Sequence, residues 1–261
     1  MTPLTEGVTP TGKEMNVTKI EATVKQYGDF IELSDLLILT AIDNNIVEAT
    51  TLIGSQAGRT LDTISREVLA AGTNVQYAEG QVTSRAALTS EMKLTVKAVK
   101  KAVRFLKKQN AKKINGYYYG IVHPDCSYDL TEDERWIDAV KYKNPEKIYN
   151  GEIGEIEGAR FVETTEAKIW AKAGAAKSTS DATKIDVYAT LIFGANAYAT
   201  TKIEGGGLQT IIKQLGSAGT GDPLDQRATV GWKALKVTEI LTEAYMIRIE
   251  TASTFSDGEA N

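Results

Sequence analysis

Between residues 17 and 30 the chain reads VTKIEATVKQYGDF, in which Val17, Lys19, Glu21, Thr23 and Lys25 alternate with Thr18, Ile20, Ala22, Val24 and Gln26. A period of two with β-branched residues predicts a long strand, and Gly28–Asp29 near its end predicts a bulge. From Asp43 the period changes. Ile46, Ala49, Ile53, Ala57, Leu61, Ile64, Val68 and Ala71 step by three or four, which predicts a helix from Asp43 to Ala71 with one apolar stripe. Ser34–Asp35 and Asp43 are N-cap candidates and Gly72 is the C-cap candidate. A helix of about 27 residues runs roughly 40 Å. Its polar side carries Glu48, Gln56, Arg59, Asp62, Arg66 and Glu67, so it lies at a surface. Gly54 and Gly58 sit inside it, each costing about 1 kcal/mol against Ala. They predict close packing at that point, or a bend.

Residues 1–16 are turn-rich, with Pro3, Gly7, Pro10 and Gly12. TNVQYAEGQVTSRAALTSE reads as a loop or hairpin, and KLTVKAVKKAVRFLKKQNAKK as a second amphipathic helix with Val96, Val99, Val103 and Leu106 as its stripe. GYYYGIVHP predicts a buried strand ended by Pro124, DCSYDLTEDERWIDAVKY two short helices, and GARFVETTEA a short strand. In TEDER, Thr131 and Glu134 have the spacing of a capping box. Residues 171–184 form the one low-complexity stretch and are expected as a mobile surface loop. DVYATLIFGANAYATTKIEG predicts strand, tight turn, strand. LQTIIKQL predicts a strand, and ATVGWKALKVTEIL with AYMIRIETAS a closing hairpin before the polar tail SDGEAN. No internal repeat occurs. The mixture is α+β, without the regular alternation of a doubly wound sheet.

Composition adds exclusions. With 261 residues, 42% apolar and 25% charged, the chain can bury a core without staples. A net charge of −4 argues against a surface built wholly for nucleic acid. Cys126 is the only cysteine and His123 the only histidine, which removes intramolecular disulfides, Cys-based zinc sites and His clusters. The opening residues have no apolar core of a signal peptide, and no apolar run is long enough to span a membrane.

Four stretches invite a chemical reading. LGSAGTGDPLDQ packs Gly216, Gly219 and Gly221 together, but a phosphate loop needs a Lys and a hydroxyl after its last glycine. Here Asp222–Pro223 follows, which is turn chemistry. IEGGGLQ, with Gly205 to Gly207, also lacks a lysine or a helix start and reads as a turn. His123 and Cys126 are a nucleophile–base pair only in name, because Pro124 intervenes at a strand end. Glu152, Glu155 and Glu157 alternate with Ile153 and Ile156 as the wet face of a strand. No catalytic constellation is found, so no enzyme activity and no cofactor or metal is expected. The densest charge is basic: Lys93, Lys97, Lys100, Lys101, Arg104, Lys107, Lys108, Lys112 and Lys113. A solvated helix face is the plain reading; Lys97, Lys100, Lys101, Arg104 and Lys108 are the candidates for a weak, sequence-independent nucleic-acid contact. Phe105 alone supplies no stacking platform for bases.

Several collinear stretches carry a resemblance. LTEGVTPTGKEMNVTKIEATVKQYGDFIELSDLL, EATTLIGSQAGRTLDTISREVLAAGTNVQYA, IVHPDCSYDL, NGEIGEIEGARFVETTEA, LIFGANAY, KIEGGGLQTIIKQLGSAGTGDPLDQRATVGWKA and ILTEAYMIRIETAS follow in order from Leu4 to about Ser253. The chain resembles the major capsid proteins of tailed phages, of the podophage type often found in prophages. The resemblance implies the Hong Kong 97-type capsid fold. That fold has an extended two-stranded loop, a long spine helix, a peripheral domain and an axial domain at the centres of pentamers and hexamers. On this chain it implies residues 1–33 as the second strand of the extended loop and 34–92 as the spine helix with the first part of the peripheral domain. Residues 93–207 become the axial domain, 208–255 the rest of the peripheral domain, and 256–261 a tail. Val17, Ile20, Val24, Tyr27 and Phe30 become inter-subunit contacts. Family members carry an arm and a first loop strand ahead of the position of Met1. Without them Val17–Phe30 is expected to have an unpaired edge.

The function implied is a self-assembling shell subunit enclosing DNA, found in the virion and assembled in the bacterial cytoplasm. Its partners are other copies of itself, with scaffold, portal and decoration proteins and packaged DNA. A cellular nanocompartment (encapsulin-like) shell subunit and a nucleic-acid-binding module built on residues 93–113 are the alternatives.

Overall fold

The computed structural model describes residues 3–9, 12, 14–15, 17–40, 44–137, 154–177, 182–201, 203–217, 219–256 and 258–261. In chain order the elements are β1 (Lys25–Ser34), α1 (Asp35–Thr40), α2 (Asn45–Ala70), β2 (Val75–Tyr77), α3 (Val96–Lys108), β3 (Tyr118–Val122), α4 (Pro124–Thr131), β4 (Glu155–Ile156) and β5 (Ala159–Glu163). Then follow β6 (Ile169–Trp170), β7 (Val187–Phe193), β8 (Tyr198–Thr200), β9 (Gln209–Lys213), β10 (Arg227–Lys236), β11 (Thr238–Ile240) and β12 (Met246–Thr251). The architecture is α+β, as its pattern of elements predicts.

Two packed units share the chain. In the first, β10 lies between β1 and β9 in an antiparallel sheet. Registers run from Lys25↔Lys236 to Ser34↔Arg227 on one side and from Gln209↔Lys233 to Lys213↔Thr229 on the other. The α2 stripe residues Ala49, Ile53 and Ala57 pack there against Leu33, Ala228, Val230, Trp232 and Ala234. In the second unit a seven-stranded mixed sheet runs β2-β12-β7-β3-β5-β4, with β6 on β7. Helix α3 covers it with the stripe expected from sequence: Val96, Val99, Val103 and Leu106 are all buried. The Thr95 side chain caps α3 by accepting the Ala98 N–H at 3.2 Å.

A buried charge network joins the units. Glu250, wholly buried, takes two bonds from Arg85 at 2.7 and 2.8 Å and one from Arg248 at 2.8 Å. The Arg248 guanidinium also donates to the carbonyls of Ala70 and Gly72 at the end of α2. The Arg85 guanidinium carbon lies over Trp170, 3.6 Å from the ring centre. The tail is tied down as well. Asp186 accepts from Ser256 Oγ at 2.6 Å and from the Gly258 N–H at 2.8 Å. The side-chain oxygen of Asn261 takes the Ile169 N–H at 2.9 Å, and its main-chain oxygen takes Arg66 at 3.1 Å.

Several expectations need correction. The strand read over Val17–Phe30 begins only at Lys25 and runs on to Ser34; residues 17–24 form no strand. β10 holds β1 along its full length on one side, and β1 is the outer strand of its sheet, so its other edge is unpaired as expected. No bulge interrupts that pairing at Gly28. A Cβ at Gly28 would sit 2.6 Å from the Trp232 carbonyl, so glycine is there because the two backbones come too close for a side chain. Gly72 is likewise not a left-handed cap. Ala71 closes α2 in the right-handed region, and a Cβ at Gly72 would meet Met246 at 2.6 Å. Gly54 and Gly58 face open space, with nothing within 4 Å of either, so close packing within the chain is not their reason. The cap candidate Asp43 lies outside the described residues.

Pairing was harder to foresee than the elements themselves. The expected hairpin of β10 with β12 does not exist: β12 lies between β2 and β7, in the other sheet. The TNVQYA stretch is not a hairpin but supplies β2, parallel to β12. β8 turns away from β7 to pair with β11. β2 from 34–92 and β12 from 208–255 share one sheet with β3 and β7. Thr131 ends α4 rather than starting a helix. Asp133 takes the capping role, its carboxylate accepting from Arg135 N–H and Val96 N–H, each at 2.9 Å. The 171–184 stretch is anchored through Gly174 N–H to the Ile185 carbonyl and Ala175 N–H to the Leu88 carbonyl; 178–181 lie outside the described residues, as do Pro10, Glu152, Ile153 and 138–142.

Candidate functional site

The sites suspected of chemistry resolve into structure. Cys126 is fully buried with its sulfur 3.7 Å from Thr251 Oγ1, and burial pushes its thiol far above the ordinary range. His123 caps α4 by accepting the Asp125 N–H at 3.2 Å. The pair is not arranged as nucleophile and base. In the glycine loop, Asp222 is buried and its carboxylate accepts the Arg227 N–H at 2.7 Å, organising a single 3-10 turn at Gly219–Gly221. An anion would meet a carboxylate there. Among the described residues no group of three His, Cys, Asp or Glu side chains could hold a metal ion, and no helix is long and apolar enough to cross a membrane.

What the structure leaves unfinished is apolar surface. Val17 and Phe30 are 74% and 63% exposed, with Ile20 and Val24 exposed to a lesser degree. These residues do not share one face. In β1 the odd positions Tyr27, Ile31 and Leu33 turn toward α2, while Phe30 points away. Val17, Ile20 and Val24 precede the strand. Tyr27 lines a groove of about 530 Å³ along α2 with Leu52, Ser55, Gln56, Arg59 and Ile64. Gln56 bridges its walls, donating to Asp29 at 2.5 Å and accepting from Trp232 at 3.4 Å. The Gln56 bond and the Phe30 N–H hold the Asp29 carboxyl below its ordinary range.

Sequence reasoning missed the other edge of this sheet. Every residue of β9 is exposed, and Leu208, Ile211, Ile212 and Leu215 present apolar side chains there. The signal was present in LQTIIKQL, where Ile211 and Ile212 are adjacent and so fall on opposite faces. A strand with apolar residues on both faces needs cover on both.

The basic helix divides in two. Lys97 pairs with Glu79 at 2.5 Å and Lys100 with Glu157 at 3.3 Å. Those bonds from Lys97 and Thr95 outweigh burial and keep Glu79 below the ordinary carboxylate range. Among the described residues Lys101 donates to the Glu79 carbonyl alone, at 2.8 Å. Arg104 and Lys108 are exposed and have no carboxylate partner among the described residues. The open cations are thus those of the C-terminal half, where the helix dipole favours positive charge.

The fold is that of viral shell subunits. The capsid of Ralstonia phage GP4 superposes with a TM-score of 0.67 over 91% of this chain and 76% of that one, at 12% identity. The capsid subunit of cyanophage Pam1 does so at 0.64 over 95% and 82%, at 11% identity. An encapsulin of Synechococcus elongatus superposes at 0.53 over 90% and 77%, at 9% identity. Likeness at such identity establishes the Hong Kong 97-type fold. Curated protein sequences give no match. The family follows from sequence: residues 41–215 match the model described as phage capsid protein. The chain belongs to the phage capsid protein family, and it is a capsid shell subunit.

Proposed function

We propose that this subunit assembles with copies of itself into pentamers and hexamers of a closed shell around DNA, in the bacterial cytoplasm, and remains in the virion. The observation that carries this is the exposed apolar surface on both edges of the β1-β10-β9 sheet, from Phe30 to Ile212. A chain that buries an extensive core elsewhere leaves such strands open where neighbours cover them. Val17, Ile20, Val24 and Phe30, with the groove beside Tyr27, are the contacts of the extended loop in this reading. The seven-stranded unit with α3 is the axial domain; α2 with β9 and β10 is the spine helix and peripheral domain, and β1 of the extended loop pairs with β10. Scaffold, portal and decoration proteins are further partners of a phage shell. The exposed cations Lys101, Arg104 and Lys108 support at most a diffuse contact with packaged DNA, since Lys97 and Lys100 are already paired.

Light scattering with negative-stain images of the same peak tests the reading. Shells or capsomers are expected. A monomer at every concentration would overturn it. The encapsulin likeness favours a second reading, a protein shell around an enzyme cargo, and particles that purify with protein inside and no nucleic acid would select it.

A further inference from the structure

The free edge of the seven-stranded sheet borders the unpaired half of the basic helix, and the two make one groove. Its volume is about 460 Å³, with Tyr77, Val82, Phe105 and Ile247 as apolar lining and Lys101 and Arg104 on its rim. Its wall is β2. The Arg248 N–H bonds the Asn74 carbonyl and the Ala78 N–H bonds the Glu250 carbonyl, so the even-numbered residues face β12. By the alternation of a parallel ladder, Val75 and Tyr77 turn their main-chain groups outward. The Tyr77 carbonyl is taken by the Gly80 N–H at 2.6 Å. The Val75 N–H and C=O and the Tyr77 N–H have no partner among the described residues.

We propose that this groove receives an extended, acidic segment of a second copy of the chain, which pairs with the edge of β2 while its carboxylates meet Lys101 and Arg104. Strand addition of this kind takes affinity from main-chain bonds and specificity from flanking side chains. Charge selects the occupant. Residues 93–113 hold nine Lys/Arg and no Asp/Glu, leaving 21 Lys/Arg against 34 Asp/Glu in the rest of the chain. Each copy thus carries a basic groove and an acidic remainder. A head-to-tail ring needs two such different, complementary faces. DNA is the weaker occupant, because phosphate contacts use neither an apolar lining nor open strand groups. The inference rests on the assembly reading above.

A photo-crosslink tests it on the full chain. Thr83 lines the groove and is exposed, whereas the only native thiol, Cys126, is fully buried. The Thr83→Cys variant is labelled with benzophenone maleimide, assembled and irradiated. A crosslinked dimer is expected, with the adduct mapped to an acidic peptide. In Thr83→Cys carrying Lys101→Glu and Arg104→Glu its yield should fall about tenfold, because like charges then face each other, while the chain still folds and melts cooperatively. Particles that form normally but give no dimer, or give adducts only with DNA, overturn this inference and leave the assembly reading standing. A chain that never leaves the monomer overturns both.

Discussion

The two sheets of this subunit are opposites. In the seven-stranded sheet, β7 and β12 are buried at every position, and even the charges of Glu250 and Arg248 are closed off. In the three-stranded sheet, β9 is exposed at every position, and β1 buries only Leu33. One sheet buries its central strands on both faces within the chain and leaves only its β2 rim open. The other is completed on one face only, by α2. The difference teaches where the chain's own stability resides and where surface is left for neighbours, and each prediction below presses on that contrast.

The largest effect is expected at Glu250. It is wholly buried between two guanidinium groups, so Glu250→Ala leaves Arg248 buried without its counter-charge. Breaking a buried pair from one side costs about 3–5 kcal/mol. Urea denaturation should show that loss, and with it release of the end of α2, because Arg248 also holds the Ala70 and Gly72 carbonyls. A loss under about 1 kcal/mol would mean an exposed pair in effect, and the closed character of the sheet would be gone from the argument.

Next comes Ile53, 1% exposed, where α2 meets β10. Ile53→Ala should cost toward the lower end of about 2–5 kcal/mol. The groove past Leu52 and Ser55 lets the neighbours relax into the space. A loss as large as that at Glu250 would show the three-stranded unit to be as tightly finished as the other.

These two sites also show what sequence patterns reveal. Ile53 was legible as part of a stripe at steps of three and four, and so were Val96, Val99, Val103 and Leu106, because burial on one helix face writes a local period. Glu250 was not legible. Arg248 stands two residues away on the same strand, but Arg85 is 165 residues off in a short turn outside the sheet, and only the tertiary fold brings it to Glu250. β7 and β12 were readable as strands but not as neighbours, since pairing leaves no local mark. The family resemblance supplied the shell fold, yet the pairings of Lys97 with Glu79 and of Lys100 with Glu157, which narrow the candidate basic set to Lys101, Arg104 and Lys108, depend on loop conformations that no spacing encodes.

A smaller effect is expected at the tail. Burial pushes the Asp186 carboxyl up, but bonds from Ser256 and from the Lys172 and Gly258 N–H groups outweigh it and hold it below its ordinary range. A depressed carboxylate contributes stability above its unfolded value, about 4 for Asp, and loses it as pH falls through the folded value. Asp186→Ala leaves those donors unsatisfied and should cost about 1–3 kcal/mol. Hydrogen exchange at 258–261 should rise in that variant at neutral pH, and in the unaltered protein only as the pH falls below about 4. Protection that persists in the variant would mean that Asn261, not Asp186, holds the tail.

The smallest effect on stability, and the sharpest test of the contrast, is expected on the open sheet. Phe30→Ser and Ile212→Ser remove apolar surface that touches little within the chain. Each should change the unfolding free energy by no more than about 0.5 kcal/mol. Each should nevertheless weaken assembly, because in the shell the same side chains become interface. The separation matters more than either number. A variant that melts normally but stays small in light scattering assigns these strands to contacts between copies. If Phe30→Ser instead lowers the melting temperature as Ile53→Ala does, Phe30 belongs to a core within the chain. If both variants assemble and melt normally, the exposed strands are not the interface, and the closing of the shell must run through the seven-stranded unit and its β2 edge.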